Sequence, residues 1–507
     1  MIAIQNLKHI FLRASVFITG AVVLVVEICA LRILAPYYGN TIYTASSIIG
    51  IILAALAVGY YAGGWLADAY RKDSIFYGII ATAGLLIVFM QVISPSVLNF
   101  LSSVFSLASG PLISSLFLFF VPAFLLAMLS PFAIQLLSAD KSKAIGRQSG
   151  SIFFWSTVGS ICGSLITGFV LIPQWGINSV VIGAGTILVI WGVVNFLLVS
   201  KPQSMLFAIA GIVVIMVCFL WLSFQQATES SVIYQKDGVY EKIKVVDGFW
   251  YNRPTRFLFQ DMSYSAAMHT DSFELAYEYT KYYTLYTLFN KNPAKAFIIG
   301  GGAYSIPAIL LRELPDIHID VAEIEPELFS LAQTYFSLPI TDRLTNHIQD
   351  GRQFLTKNIQ EYDFILSDVY YSFFSIPVHF TTKEFFALAK ERLSENGIFI
   401  GNFAGTLDQS SPSFLFSEIR TFRSIFPNSY FFAVNSPSSE TPQNIIFLGI
   451  NGEQSLQFPE QSDDPILAGL SQKNIDLSAI DLSKYQELTD DFAPVEYLVS
   501  KIVKKAY

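Results

Sequence analysis

Apolar and polar positions follow three different rhythms along this chain. Up to about residue 225 the pattern is long uncharged runs, each of the roughly 20 residues that a helix needs to cross a bilayer. Seven such runs stand at roughly 14–36, 44–67, 74–93, 111–137, 148–172, 177–199 and 204–224, which predicts a transmembrane bundle of about seven spans. The serine-rich stretch 94–110 predicts a segment at the interface instead of a span. From Ser231 the runs shorten to Val232-Ile233-Tyr234, Lys242-Ile243-Lys244-Val245-Val246 and Arg256-Phe257-Leu258-Phe259, broken by Asp-Gly pairs, as in a small β-meander. Phe273 to Phe289 predicts a helix rich in tyrosine, with Tyr279, Tyr282, Tyr283 and Tyr286 along it. Packing with the hydroxyls at the rim is the ordinary role for such tyrosines.

Beyond residue 290 apolar strands alternate with helical stretches. Phe297-Ile298-Ile299 runs into Gly300-Gly301-Gly302, a helical segment Ile306 to Leu311 follows, and a second strand, Ile319-Asp320-Val321-Ala322, ends in Glu323-Ile324-Glu325. A third strand region ends at Ile348-Gln349-Asp350-Gly351, a fourth is Tyr362 to Asp368, and a fifth is Gly397 to Asn402 after a helix around Glu384 to Leu393. Alternation of this kind predicts an α/β Rossmann-like sheet. The domain reading is therefore 1–225 for the membrane bundle, 226–290 for the meander and tyrosine helix, and 291–507 for the Rossmann-like domain.

Composition sharpens the first boundary. The chain is 53% hydrophobic and 14% charged, whereas soluble domains carry about a quarter charged residues. Residues 1–200 have a net charge of +4 and residues 201–507 a net of −12, so a basic-edged apolar half precedes an acidic soluble half. No basic stripe exists, which argues against nucleic acid as a partner. Cys29, Cys162 and Cys218 all lie in apolar runs and build neither a metal site nor a disulfide framework. The apolar stretch after Arg13 is too long for a cleavable signal.

Lys8 and Arg13, Arg71 and Lys72, Lys141, Lys143 and Arg147, and Lys201 alternate with the connections Pro36–Thr44 and Pro173–Asn178, which hold no Lys or Arg. The positive-inside rule then puts the N-terminus in the cytoplasm of a multi-pass protein of the cell membrane, with the lipid bilayer as a partner. Seven crossings would leave the C-terminal half outside, so its side stays open between an outward-facing domain and a miscounted span. Gly59 with Gly63, and Gly159 with Gly163, give spacings that let helices approach closely. Glu27 with Arg32 inside the first run is either a functional intramembrane acid or a structural ion pair. Gly63-Gly64-Trp65-Leu66-Ala67-Asp68 before Arg71-Lys72 resembles the loop between the second and third helices of major-facilitator transporters, but no substrate-binding charges recur in later spans.

The candidate chemistry lies at the strand ends. A strand, a glycine turn, a helix and a second strand with a terminal acid form a nucleotide-binding unit, because glycines admit the ligand to the backbone and the acid can bind ribose hydroxyls. Glu323, Asp350 and Asp368 fall at the carboxyl ends of successive strands, where open sheets bind ligands. One such acid could be a helix cap; three beside a glycine turn favour a site.

Residues 231–500 resemble the polyamine aminopropyltransferases, the spermidine synthase family, and the whole chain resembles bacterial membrane proteins that fuse a multi-pass domain to such a module. Besides the strand-end acids, the resemblance is carried by Glu27, Arg32-Ile33-Leu34, Tyr38-Gly39, Gly63 to Asp68, Ile376 to Phe386 and Leu488 to Glu496. It implies that Gly300, Gly301, Gly302 and Gly351 wrap the nucleoside of decarboxylated S-adenosylmethionine, that Glu323 holds the ribose and that Asp350 faces the adenine amino group. Asp368 would be the catalytic proton acceptor for a small-molecule amine, and Tyr279, Glu241 and Tyr371 would belong to the substrate site, with no metal. A homodimer stays open.

Departures from the family fall on the amine side. Ala303 and Tyr304 stand where an acid follows the glycines, Tyr371 replaces an acid three residues after Asp368, and two glutamines of the meander are Glu241 and Ser265. A polyamine needs acidic partners to offset desolvation. Three readings therefore remain: aminopropyl transfer to putrescine or another amine, methyl transfer from S-adenosylmethionine to another acceptor, and a non-catalytic nucleoside-binding module that regulates a transporter-like bundle.

Overall fold

The computed structural model describes residues 2–138, 145–199, 231–369, 376–410 and 412–506, with side chains between 8 and 500. Tyr371, Lys141, Lys143, Lys201 and the run 204–224 lie outside the described residues. Two compact units emerge, Met1–Ser230 and Ser231–Tyr507.

The first unit is helical. Among the described residues, five helices are long and apolar enough to cross a membrane: Lys8–Tyr38, Ile42–Ala69, Asp73–Val104, Gly110–Leu137 and the run Ile145–Val199. We call them α1 (Ile2–Tyr38), α2 (Ile42–Ala69), α3 (Asp73–Val104), α4 (Gly110–Leu137), and, within the last run, α5 (Ile145–Ile166) and α6 (Ile172–Val199). Residues 94–104, expected at the interface, continue α3 as helix. Glycines set how these helices meet. A Cβ on Gly59 would stand 2.5 Å from the Phe124 carbonyl oxygen, and one on Gly63 2.4 Å from that of Met128, so α2 and α4 touch backbone to backbone. Gly159 and Gly163 meet α1 in the same way, at 2.0 Å from the Phe17 oxygen and 2.4 Å from the Ala21 oxygen.

The direction of each pair follows from these contacts. Phe17 meets Gly159 and Ala21 meets Gly163, so α1 and α5 run parallel. Ala81 meets Gly192, Gly84 meets Leu188 and Val88 meets Gly185, so α3 and α6 run antiparallel. Lys8 and Asp73, 2.8 Å apart, join the starts of α1 and α3. The run Ile145–Val199 must therefore reverse, and it does so at Gly176, whose φ of 70° and ψ of 169° break the helix. Only glycine takes such a conformation without strain. The sequence separates two spans at this place, 148–172 and 177–199, and the structure puts the turn between them.

The second unit opens with a four-stranded antiparallel sheet in sequence order: β1 (Val232–Asp237), β2 (Lys242–Trp250), β3 (Arg253–Gln260) and β4 (Ser263–His269). The tyrosine-rich helix is shorter than expected and is a 3-10 helix, Tyr279–Leu288; Leu275 instead bridges to Met268 at the edge of β4. Tyr282, Tyr283 and Tyr286 are buried in the core.

The larger sheet has seven strands: β5 (Lys295–Ile299), β6 (His318–Glu323), β7 (Leu344–Ile348), β8 (Tyr362–Ser367), β9 (Leu393–Gly405), β10 (Ser429–Ala433) and β11 (Gln443–Ile450). Their order is β10-β11-β9-β8-β5-β6-β7, parallel from β9 to β7, with β10 and β11 antiparallel. Both faces are covered, which is why β5 reads as continuous apolar sequence. Ala296 and Ile298 enter one core with the smaller sheet and the tyrosine helix, while Phe297 and Ile299 enter another. The second core is built on phenylalanine, with Phe385, Phe386, Phe399, Phe422 and Phe447 each fully buried. Each such side chain contributes about 1.5–3 kcal/mol by leaving water. The order reverses between β5 and β8, and that is where an open sheet leaves a crevice for ligands.

The reversal at Gly176 is testable by topology reporters. A reporter fused after Gly176 should read the side opposite the N-terminus, and one fused after Val199 the same side as the N-terminus. Equal readings at the two positions would show an unbroken helix.

Candidate functional site

The crevice is floored by two backbone turns in contact. β5 leads straight into Gly300, where φ is +86° and a Cβ would stand 2.4 Å from the Asp368 carbonyl oxygen. Glycine is required there on both counts. The pair is tied in register, since Gly300 donates its N–H to Ala322 and Asp368 donates its N–H to Ile299, both at 2.9 Å. Gly302 also has a positive φ, +51°, but faces open space.

Glu323 ends β6 and holds the glycine turn. One carboxylate oxygen accepts the N–H groups of Gly301 and Gly302 at 2.8 and 3.1 Å, and the other accepts that of Glu325 at 2.9 Å. Burial pushes this carboxyl up in pKa, and the amides of Glu325, Gly302, Gly301 and Ile324 oppose the rise.

Asp368 follows β8 and is the most perturbed acid in the crevice. Burial pushes its carboxyl up to about 6, against hydrogen bonds from Asn402 and Tyr279. Asn402 donates its side-chain N–H to Asp368 at 2.9 Å, and its own oxygen accepts from Asn444 at 2.9 Å. The second bond fixes which end of the Asn402 amide faces the acid. Tyr279 has one phenol proton, and its bond to the Ser265 carbonyl is long at 3.4 Å, which leaves that proton for Asp368. Burial first, then the nearby Asp368 charge, raises the phenol's pKa well above its usual value.

The glycine turn, Glu323, Asp368 and Tyr279 line one cleft together with Gln260, Ser265 and Ser305. Other expected site residues fall elsewhere. Asp350 caps the helix Gly351–Lys357 through a 2.9 Å bond from the Gln353 N–H, and its second oxygen meets His379 at 2.8 Å. Burial pushes Asp350 up, but His379 and the amides of Gln353 and Arg352 outweigh it and hold the carboxyl below its usual range. Gly351 is buried, with Ile299 where a Cβ would sit. Neither residue lines the cleft.

Glu241, expected at the substrate, is buried behind Gln260, which donates its side-chain N–H to it. Burial, then the charge of Asp261, pushes Glu241 well above the usual carboxylate range. It thus orients Gln260 instead of meeting the cleft itself. Tyr371 lies outside the described residues.

Sequence reasoning missed Gln260, Asn402 and Ser305 as site residues. Asn402 is legible only as the end of a strand, since its bond to Asp368 depends on β9 lying beside β8. Gln260 shows a weak signal, a polar residue closing an apolar strand before the turn at Asp261.

Taken with the sheet order, this arrangement makes the C-terminal half an α/β domain of the methyltransferase-like kind. Residues 282–454 match the family model of the spermine/spermidine synthase domain. The C-terminal part of the chain is accordingly a spermidine synthase domain. A polyamine aminopropyltransferase of Vibrio vulnificus (strain CMCP6) is 32% identical over 174 residues, covering 34% of this chain and 56% of that protein. The eEF1A lysine and N-terminal methyltransferase of Mus musculus is 27% identical over 179 residues, covering 34% of this chain and 24% of that protein. Among solved structures, a probable spermidine synthase from Corynebacterium glutamicum ATCC 13032 aligns with a TM-score of 0.43 and 20% identity, over 52% of this chain and 97% of that one. The chain spans about half the length of the curated aminopropyltransferases it matches.

Three substitutions test the geometry. Gly302→Ala should cost about 1 kcal/mol through its positive φ alone. Gly300→Ala adds the clash with Asp368 and should cost visibly more in unfolding experiments; equal losses would contradict the contact. Asn402→Ala should raise the proton affinity of Asp368 above its present level of about 6, read as a larger protonated carboxyl signal at neutral pH in difference infrared spectra.

Proposed function

We propose that the C-terminal half transfers an alkyl group from a sulfonium nucleoside to an amine, with Asp368 as the proton acceptor, and that the helical half holds it at a membrane. The first form of this reaction moves the aminopropyl group of decarboxylated S-adenosylmethionine to putrescine or a similar amine. The observation that carries the reading is Asp368 itself: a buried carboxyl in the cleft, bonded to Asn402 and Tyr279, with its pKa raised to about 6.

The chemistry needs such a group. An alkylamine has a pKa near 10, so at neutral pH it is an ammonium and has no lone pair for attack. As nitrogen bonds to the carbon next to the sulfonium, its proton passes to Asp368. The carbon–sulfur bond breaks, and sulfur leaves as a neutral thioether. Proton transfer from ammonium to an ordinary carboxylate is steeply uphill. Raising the carboxyl to about 6 lessens that cost by on the order of 3 kcal/mol, yet leaves about nine-tenths of Asp368 ionised at pH 7. Tyr279 beside the carboxyl supports a role in orienting the amine.

Methyl transfer from S-adenosylmethionine is the second form, and Ala303 favours it. It lines the cleft where the resemblance places an acid that helps hold the amine acceptor, so a polyamine meets no counter-charge at that point and a less charged acceptor is favoured.

Purified full-length protein should convert decarboxylated S-adenosylmethionine and putrescine to spermidine and methylthioadenosine in the first form, or S-adenosylmethionine and an amine to methylamine product and S-adenosylhomocysteine in the second. In either case Asp368→Asn should lower turnover by about a hundredfold or more while sparing nucleoside binding. Because the unprotonated carboxyl is the active form, kcat/KM should fall tenfold per pH unit below about 6. Nucleoside binding without turnover of any amine would support the non-catalytic reading instead.

A further inference from the structure

We propose that the wall of the cleft formed by Ala303, Ser305 and the start of the helix Ser305–Glu313 binds a carboxylate, so that the preferred donor carries an intact amino-acid tail. This rests on the reading of the cleft as a sulfonium-nucleoside site and names which nucleoside fits it.

Ser305 carries the argument. It is the first residue of its helix, is 8% exposed and lines the cleft. Its hydroxyl has no hydrogen-bond partner among the described residues, and neither has that of Ser265, which lines the same cleft. A buried hydroxyl left unpaired is costly and is met in a built site when the ligand supplies the partner.

The helix start adds donors of the same sign. The opening amides of a helix have no acceptor within it; here they are those of Ser305 and Ile306, since Pro307 has no N–H, and the aligned peptide dipoles place positive potential there. Tyr304, the residue before the helix, offers no side-chain cap. Its φ of 54° turns the side chain away, and its hydroxyl donates to Asn346 at 2.6 Å. A helix start with uncapped amides and a free hydroxyl is suited to an anion.

An ammonium tail would fare worse at this wall. The acids lining the cleft are Glu323 and Asp368. Glu323 already accepts three amide N–H groups, and Asp368 is bonded to Asn402 and Tyr279. Ala303 supplies only a methyl group. A carboxylate gains charge-assisted hydrogen bonds from Ser305 and the helix amides, while the decarboxylated tail has none to replace them.

Calorimetric titration of the full-length protein in detergent with S-adenosylhomocysteine and with its decarboxylated counterpart decides the matter. S-adenosylhomocysteine should bind at least about tenfold more tightly. Ser305→Ala should bring that ratio towards one by weakening S-adenosylhomocysteine alone, and Ala303→Asp should invert it. Equal or tighter binding of the decarboxylated compound to the unsubstituted protein would overturn the carboxylate assignment while leaving the nucleoside site standing. So would an equal loss of both affinities in Ser305→Ala. Absence of binding by both compounds would remove the nucleoside reading itself, and the assignment with it.

Discussion

Gly300 and Asp368 touch through their backbones, and the rest of the cleft is arranged around that contact. A side chain on Gly300 would collide with the Asp368 carbonyl at 2.4 Å, so the turn after β5 and the turn after β8 can lie side by side only because the first is glycine. The contact sits where the strand order reverses. It brings the loop that can wrap a nucleoside beside the carboxyl that can take a proton. Glu323 then fixes the turn from the other flank by accepting the Gly301 and Gly302 amides, so one buried carboxyl acts as a strut at the cleft wall.

Burial in this region does more than exclude water. Asp368, Glu323 and Glu241 all resist ionisation because they are desolvated, but each is compensated differently. Backbone amides meet Glu323 and a single glutamine meets Glu241, whereas Asp368 has side-chain donors on two elements, Asn402 and Tyr279. In the last arrangement burial pushes the carboxyl up to about 6. The amide relay Asn444–Asn402–Asp368 crosses three neighbouring strands, so the sheet itself positions one of the two donors on this carboxyl.

Features that depend on local chemistry were legible in the sequence. The glycine turn, Glu323 and Asp368 stand at strand ends marked by apolar runs, and the structure gathers all three in the cleft with Tyr279. Features set by register or by packing between distant segments were not. His379 reaches Asp350 across 29 positions, Gln260 reaches Glu241 across a hairpin, and Asn402 reaches Asp368 from the next strand. No periodicity reports such pairs. The same limit applied in the helical half, where the sequence separates the runs 148–172 and 177–199 but only the contacts of the glycines show that α5 pairs with α1 and α6 with α3.

Ala303 and Tyr304 show how a short departure can redirect a site without disturbing its frame. Losing an acid after the glycines could simply leave a hole, yet Tyr304 takes a left-handed backbone conformation and sends its ring beneath Gly301, where a Cβ would stand 2.4 Å from it. Its hydroxyl is then held by Asn346 on β7. The tyrosine thus braces the glycine turn from below, and the helix that follows starts uncapped with Ser305 turned to the cleft. The glycine turn keeps its contacts while the wall beside it is lined by Ala303 and Ser305. The start of this helix and Asp368 with its two partners are thus separate parts of one cleft.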